Sequence, residues 1–220
     1  MKTQKLKFFV QLLMVTLILT ACSKNDDNPP EENIILEIGQ EYQGGIIFYL
    51  DDTGEHGFIA YPTDLTDGDW GCLDTDPNPP NPEPPTAPIA QNNGIGFGEQ
   101  NTLAIVNFCS EPNIAARLAY NLYGNGYDDW FLPSIDELEL IYENRDVIGN
   151  FPNLNNNNNQ GEFIVYASSS EGWGTNDGNG GFLYLNYQVF DFSDNTAIPD
   201  ERKIFTSKAS EMKVRPIRSF

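Results

Sequence analysis

The chain has 220 residues, 40% of them hydrophobic, and its 32 acidic residues against 12 basic ones give a formal net charge of −20 at pH 7. A surface of that sign repels phosphate backbones and anionic headgroups, which excludes nucleic acid as a partner and leaves acidic groups that attract divalent cations. The single histidine has no second imidazole to complete a zinc site, and its place in a turn argues against a Ser–His–Asp arrangement.

Lys2, Lys5 and Lys7 form a basic head before an apolar run over 8–19. That run has the length of a signal peptide and is too short for an ordinary membrane-spanning helix. It closes on Leu19-Thr20-Ala21-Cys22, which resembles the lipobox of bacterial lipoproteins. The resemblance implies that residues 1–21 are removed and that Cys22 carries diacylglycerol and an acylated amine. The membrane is then a partner through a lipid anchor, at about 0.8 kcal/mol for each buried methylene. Removing 1–21 takes away three of the 12 basic residues and none of the 32 acidic ones, for a net charge of about −23. Residues 22–39, which include "SKNDDNPPEEN", are polar, acidic and proline-bearing and are expected to form a disordered tether. Lys24 with Asp26 and Asp27 resembles the surface-export signal of some Gram-negative lipoproteins, which implies the outer membrane and the cell surface.

The remaining 40–220 have the length of one domain with a sizeable core. "GGIIFYL" and "GFIAYP" are β-rich runs around "DDTGEHG" and predict an antiparallel hairpin, with His56 in its turn. Seven prolines within 77–88 predict an extended surface insert. "GIGFGEQN" follows a proline run and not an apolar strand, so it reads as a turn into a helix rather than a phosphate cradle. Thr102 to Phe108 predicts one or two helical turns. Ile114, Leu118 and Leu122, with Ala115 and Ala119, predict a second helix between a Ser110 N-cap and a Gly124 stop. Cys72 and Cys109 are an even pair, read outside the cytoplasm either as a disulfide or as two reduced, buried cysteines.

"GYDDWFLPSIDEL" concentrates the possible chemistry. Ser134 and Glu137 have the spacing of a capping box, and Asp136 and Glu137 fall in a first helical turn. Trp130, Phe131 and Leu132 read as a wedge into the core, with Pro133 fixing the direction of the chain into the helix. The stretch is therefore expected to be a structural staple, with Asp128 and Asp129 as the only acids left for catalysis. Strands are expected in "EFIVYASSS", "GGFLYLNYQVFDF" and "MKVRPIRSF", and a polar loop in "EGWGTNDGNGG". Asn155 to Asn159 reads as a loop tip.

"YQGGIIFYL", "GEHGFIAYP", "GFGEQNT", "IAARLAYNL", "GYDDWFLPSIDEL", "YASSSE" and "KVRPIRSF" occur in an order that resembles the DUF1566 family, which includes the C-terminal domain of a collagen-like adhesin. The resemblance spans about 40–220, interrupted by the proline insert. It implies an α+β, C-type-lectin-like fold, an antiparallel sheet with flanking helices, paired terminal strands and long irregular loops. It also implies cell-surface recognition, in some members of polysaccharide. Ala167 stands where the family usually has an aromatic residue, and the adhesin's taste for sulfated glycans does not transfer to so acidic a chain.

The ligand candidates are Glu171, Trp173, Asn176 and Asp177, with Tyr184 or Tyr187 as stacking companions. Glu111-Pro112-Asn113 matches the sugar motif of calcium-dependent lectins, and Trp173, Asn176 and Asp177 are the nearest analogue of its partner motif. Proline near a helix start explains that tripeptide equally well, so no cofactor is expected and calcium is the one ion in question. Formylglycine-generating enzymes have a related fold and a similar helix start, but nothing here reproduces their reactive cysteine pair, and no enzyme activity is expected. The favoured reading is a lipid-anchored recognition domain for a glycan or surface protein. The alternative is an assembly subunit of a surface complex or fibre.

Overall fold

The computed structural model describes residues 35–72, 89–152, 163–176, 182–183, 185–193 and 201–220. Cys22, the tether before 35, the proline insert 77–88, the asparagine run, Asp177 and Tyr184 lie outside the described residues. Residues 35–220 form one unit, mixed in α and β.

The first sheet grows from the hairpin. β1 (Glu41–Tyr42), β2 (Gly45–Leu50) and β3 (Gly57–Ala60) pair antiparallel in sequence order. The β2–β3 turn closes on Asp51, whose Oδ1 accepts from the backbone N–H groups of Thr53 and Gly54. That local acceptor explains why so acidic a turn forms at all. β9 (Ile217–Ser219) joins the same sheet against β3, giving the order β1-β2-β3-β9.

Four helices follow the hairpin: α1 (Gly98–Phe108), α2 (Ala115–Tyr120), α3 (Ile135–Glu143) and the single turn α4 (Arg145–Ile148). The second sheet has the order β4-β7-β8, from β4 (Val165–Glu171), β7 (Asn186–Asp191) and β8 (Lys203–Ser207), all antiparallel. A two-stranded ribbon, β5 (Thr175–Asn176) with β6 (Phe182–Leu183), stands between β4 and β7 in sequence.

Two helix boundaries differ from the sequence expectation. α1 begins at Gly98, a full turn before Thr102. Its cap comes from another element, since the Gly98 N–H donates to Glu137 Oε1 at 3.4 Å. No local side chain announces the start. α2 is shorter than the apolar stripe suggests, with Ile114 at the N-cap, Asn121 at the C-cap, and Ser110 exposed and uninvolved. The Arg117 guanidinium accounts for this, because it donates to the carbonyls of Glu111, Val106 and Cys109. Those carbonyls hold the chain in a bend through 109–113 that no helix can enter.

The C-terminal stretch ties the two sheets together. Lys213 exchanges backbone hydrogen bonds with Val165 and Ala167, and four residues later Ile217 exchanges two with Phe131. The Cys72–Cys109 disulfide is formed, across a sequence separation of 37. Closing a loop of that length stabilises the fold by about 4 kcal/mol in the chain-entropy picture.

The core has three clusters, and three consecutive residues enter all of them. Trp130 packs with Ile47 and Ile59, Phe131 with Phe48, Ile135 and Phe190, and Leu132 with Ile105, Trp70 and Val189. All three are at most 3% exposed. The wedge expected from the sequence is a strap across the whole core.

Candidate functional site

The opening of α3 is where chemistry would sit, since the first N–H groups of a helix attract anions when they are left without partners. Here each one is satisfied from within the protein. Ile135 N–H donates to Ser170 Oγ at 3.0 Å, Asp136 N–H to the Asn93 carbonyl at 3.1 Å, and Glu137 N–H to Ser134 Oγ at 3.3 Å. Glu137 completes the capping box, its Oε2 accepting from Ser134 N–H at 2.7 Å. Its Oε1 accepts from Gly96 N–H at 2.8 Å as well as from Gly98. A Cβ on Gly98 would lie 2.2 Å from Glu137 Oε2, so only glycine allows the approach. Burial pushes the Glu137 carboxyl up despite these donors. Every acceptor of this acid faces inward, and it has no route to a substrate.

Asp128 and Asp129 do not converge on a catalytic cleft. They border a cavity of about 50 Å³ beside Trp130 and Glu99, room for a few waters at most. Asp129 binds Arg218 through both oxygens, at 2.6 Å to Nε and 2.6 Å to Nη2. The guanidinium holds the Asp129 carboxyl below the usual carboxylate range. A depressed folded value means that the pair contributes stability above the unfolded carboxylate's range and loses it as pH falls through the folded one. In an Arg218→Gln variant, Asp129 is expected to titrate in the ordinary carboxylate range by carbon-detected NMR. An unmoved Asp129 titration would show that the guanidinium does not set it.

Glu171, named from the sequence among the ligand candidates, is instead fully engaged inside the protein. Its side chain and that of Lys208 are both 0% exposed, and Lys208 Nζ donates to Oε1 at 2.5 Å. Oε2 accepts from the N–H groups of Ile89 at 2.6 Å and Ala90 at 3.4 Å. Lys208 Nζ also lies 3.8 Å from the centre of the Trp70 ring. Tyr187 is likewise no stacking platform, since it is buried and its hydroxyl donates to the Ser210 carbonyl. Alternation along β7 turns it into the cluster of Leu132, Trp70 and Val189. Asn176 lies on β5.

Trp173 differs from all of these. Two residues beyond the Glu171–Lys208 pair it is 75% exposed, whereas Trp70 and Trp130 are 1% exposed. The chain around it is anchored, with Glu171 N–H donating to the Ala90 carbonyl at 2.7 Å and Gly172 N–H to the Asn186 carbonyl at 2.8 Å. The described residues that flank the proline insert are held by distant partners: Ile89 by Glu171, and Cys72 by the disulfide and by Glu111 Oε1, which accepts from Cys72 N–H at 3.1 Å.

Of Glu111-Pro112-Asn113, Glu111 is engaged through its carboxylate with Cys72 and through its carbonyl with Arg117, while all three residues are exposed. The two sulfurs and the Glu111 carboxylate lie within 4.8 Å of one another, but the sulfurs are joined to each other, and a disulfide offers no thiolate to a metal. Sequence reasoning passed over Arg215 and Arg218, which are 0% and 6% exposed. Their signal was available, as two arginines three residues apart in a chain with few cations. Comparison of the chain with models of known protein families and with curated proteins returned no match.

Proposed function

We propose that the protein is a recognition module of the bacterial cell surface, a C-type-lectin-like α+β domain of the DUF1566 type held at the outer membrane by lipid on Cys22. Its ligand is a polysaccharide or a surface protein, bound at the edge that presents Trp173. The observation that carries this reading is an indole 75% exposed on a chain segment whose root is fixed by a buried ion pair. A large ring carried on a backbone that is already held loses less entropy on binding than one on a free segment, and tryptophan is enriched among the anchor residues of interfaces. The lipid anchor rests on the lipobox-like sequence, and the surface location on the export-like residues behind it.

The test is a glycan array together with a collagen-binding assay on the protein, each with calcium and with chelator. Ligand binding is expected, unchanged by chelator, and Trp173→Ala is expected to weaken it by about 2 kcal/mol or more, roughly thirtyfold in Kd. Equal binding by the variant removes Trp173 from the site.

A second reading, an assembly subunit, is favoured by a different observation. Leu103 on α1 and Tyr120 on α2 are 39% and 45% exposed and border the same small cavity, and Tyr123 just beyond is 76% exposed. Adjacent exposed apolar groups mark protein contacts more often than glycan contacts. Isolation of a stable protein partner from envelope membranes, lost on Leu103→Asp but not on Trp173→Ala, would select this reading.

A further inference from the structure

Three of the four non-glycine residues with left-handed backbones among the described residues lie on one groove. The β1–β2 turn passes through Gln43 and Gly44 at φ 41° and 89°, and the turn before Tyr127 through Asn125 and Gly126 at φ 54° and 90°. The chain leaves α4 through Gly149 and Asn150 at φ 69° and 55°. Each pair is two consecutive left-handed residues, a conformation that costs a non-glycine roughly 1–2 kcal/mol. In the first two pairs it is the ordinary two-residue hairpin loop, closed by Tyr42 against Gly45 and by Gly124 against Tyr127, which calls for positive φ at both positions.

Arg218 and Arg215 hold the first and third of these turns. Arg218 Nη1 donates to the Gln43 carbonyl at 3.3 Å and to Gln43 Oε1 at 2.8 Å, with the rest of its guanidinium on Asp129. Arg215 Nη2 donates to the Asn150 carbonyl at 3.0 Å and Nη1 to the Gly149 carbonyl at 3.5 Å, with Nε on Asp64 at 2.6 Å. Asn125 Nδ2 crosses to the Gly44 carbonyl at 2.7 Å and locks two of the turns together. Asn150 Nδ2 donates to the Pro62 carbonyl at 3.2 Å, which ties the third turn to the chain beyond β3.

What these contacts leave over defines the ligand. Gln43 Nε2 remains as a donor, and Oδ1 of Asn125 and of Asn150 remain as acceptors, without partners among the described residues. The groove they border has a volume of about 410 Å³ and also exposes Glu41, Tyr42 and the apolar atoms of Ile46 and Pro62. That volume falls in the range of about 300–1,000 Å³ found for small-ligand clefts. Each arginine is paired to an aspartate and directed at backbone, so the groove offers an anion no free cation, and Glu41 repels one. Amide donors and acceptors set close to apolar carbon suit a ligand that is hydroxyl-rich, uncharged and apolar on its C–H faces.

We propose that this groove is a binding subsite for one or two sugar units of a neutral polysaccharide. It stands on residues separate from the Trp173 edge and extends the function proposed there to a second surface.

The probes are cello-, malto-, laminari-, xylo- and mannohexaose, with a hyaluronan hexasaccharide as the anionic comparator. Each is titrated into the full-length protein in detergent and followed by calorimetry and by amide NMR shifts. At least one neutral hexasaccharide is expected to bind and to move the signals of Gln43, Asn125 and Asn150, with no effect from the anionic one. Asn150→Gly and Gln43→Gly keep the left-handed backbone while removing the amide, and each is expected to weaken binding about tenfold, as the loss of one good hydrogen bond would. Glu41→Gln carries no backbone demand and serves as a third variant, and retention of the unfolding temperature certifies all three. Failure of every neutral hexasaccharide to bind overturns the proposal, as does binding that moves the Trp173 indole signal but none of the groove amides. In that last case the Trp173 edge remains the recognition site.

Discussion

Replacing Lys208 with methionine is expected to lower the free energy of unfolding by about 3–5 kcal/mol, the cost of leaving a buried charge without its partner. Lys208 and Glu171 are both fully buried and bonded to each other. Burial pushes the Lys208 ammonium down more strongly than Glu171 raises it, so the pair already sits where desolvation outweighs attraction. Methionine retains an unbranched apolar chain of similar length and removes the ammonium that lies over Trp70 and bonds Glu171. The Glu171 carboxylate is then left with two backbone N–H donors and no cation. Denaturant unfolding should show a lower midpoint at unchanged slope, and the unfolding temperature should fall by roughly 10 °C in a domain of this size. The double variant Lys208→Met with Glu171→Gln should recover at least half of the loss. Glutamine keeps an acceptor for Ile89 while abolishing the charge, and a buried pair replaced as a whole is often close to neutral. A single-variant cost below about 1 kcal/mol would show that the pair is wetter than its geometry implies.

That pair also marks where sequence reading stops. Ser134 and Glu137 were legible because a capping box is local, three residues from end to end. The hairpin was legible because its apolar alternation and its glycine turn are local too. Glu171 was not, since its partners stand 37 residues away at Lys208 and 82 residues away at Ile89, and nothing near position 171 announces either of them. As part of a glycine-rich polar loop it looked like a ligand group, while its neighbour Trp173, read from the same stretch, is exposed. The start of α1 was hidden for the same reason, being capped by Glu137 from 39 positions away. The groove lies between these extremes. Asn125-Gly126 announces a left-handed turn by composition alone, but that its amide meets Gly44, 81 positions away, is not local, and Gln43 and Asn150 are held by two arginines at the far end of the chain.

Trp130→Ala is expected to cost about 3–5 kcal/mol, the range for emptying a large aromatic site in a packed core. The ring is 1% exposed, meets Tyr61 edge-on at 5.0 Å between centroids, and donates through Nε1 to the Gly124 carbonyl at 3.3 Å. Trp130→Phe retains an aromatic ring and loses the indole donor, so it should cost less, about 1–3 kcal/mol. The larger consequence comes from the neighbours in sequence. Because Phe131 and Leu132 enter the other two clusters, loosening the strap at one end releases all three, and the variant should still unfold in one transition, at a lower midpoint. The Gly124 carbonyl also belongs to the turn that carries Asn125 and borders the groove. Loss of the indole should therefore broaden the amide signals of Gln43 and Asn125 well before global unfolding, and weaken any saccharide bound there. Two resolved unfolding transitions, or groove signals as sharp as in the parent protein, would mean that the strap holds the clusters independently and that the groove does not depend on it.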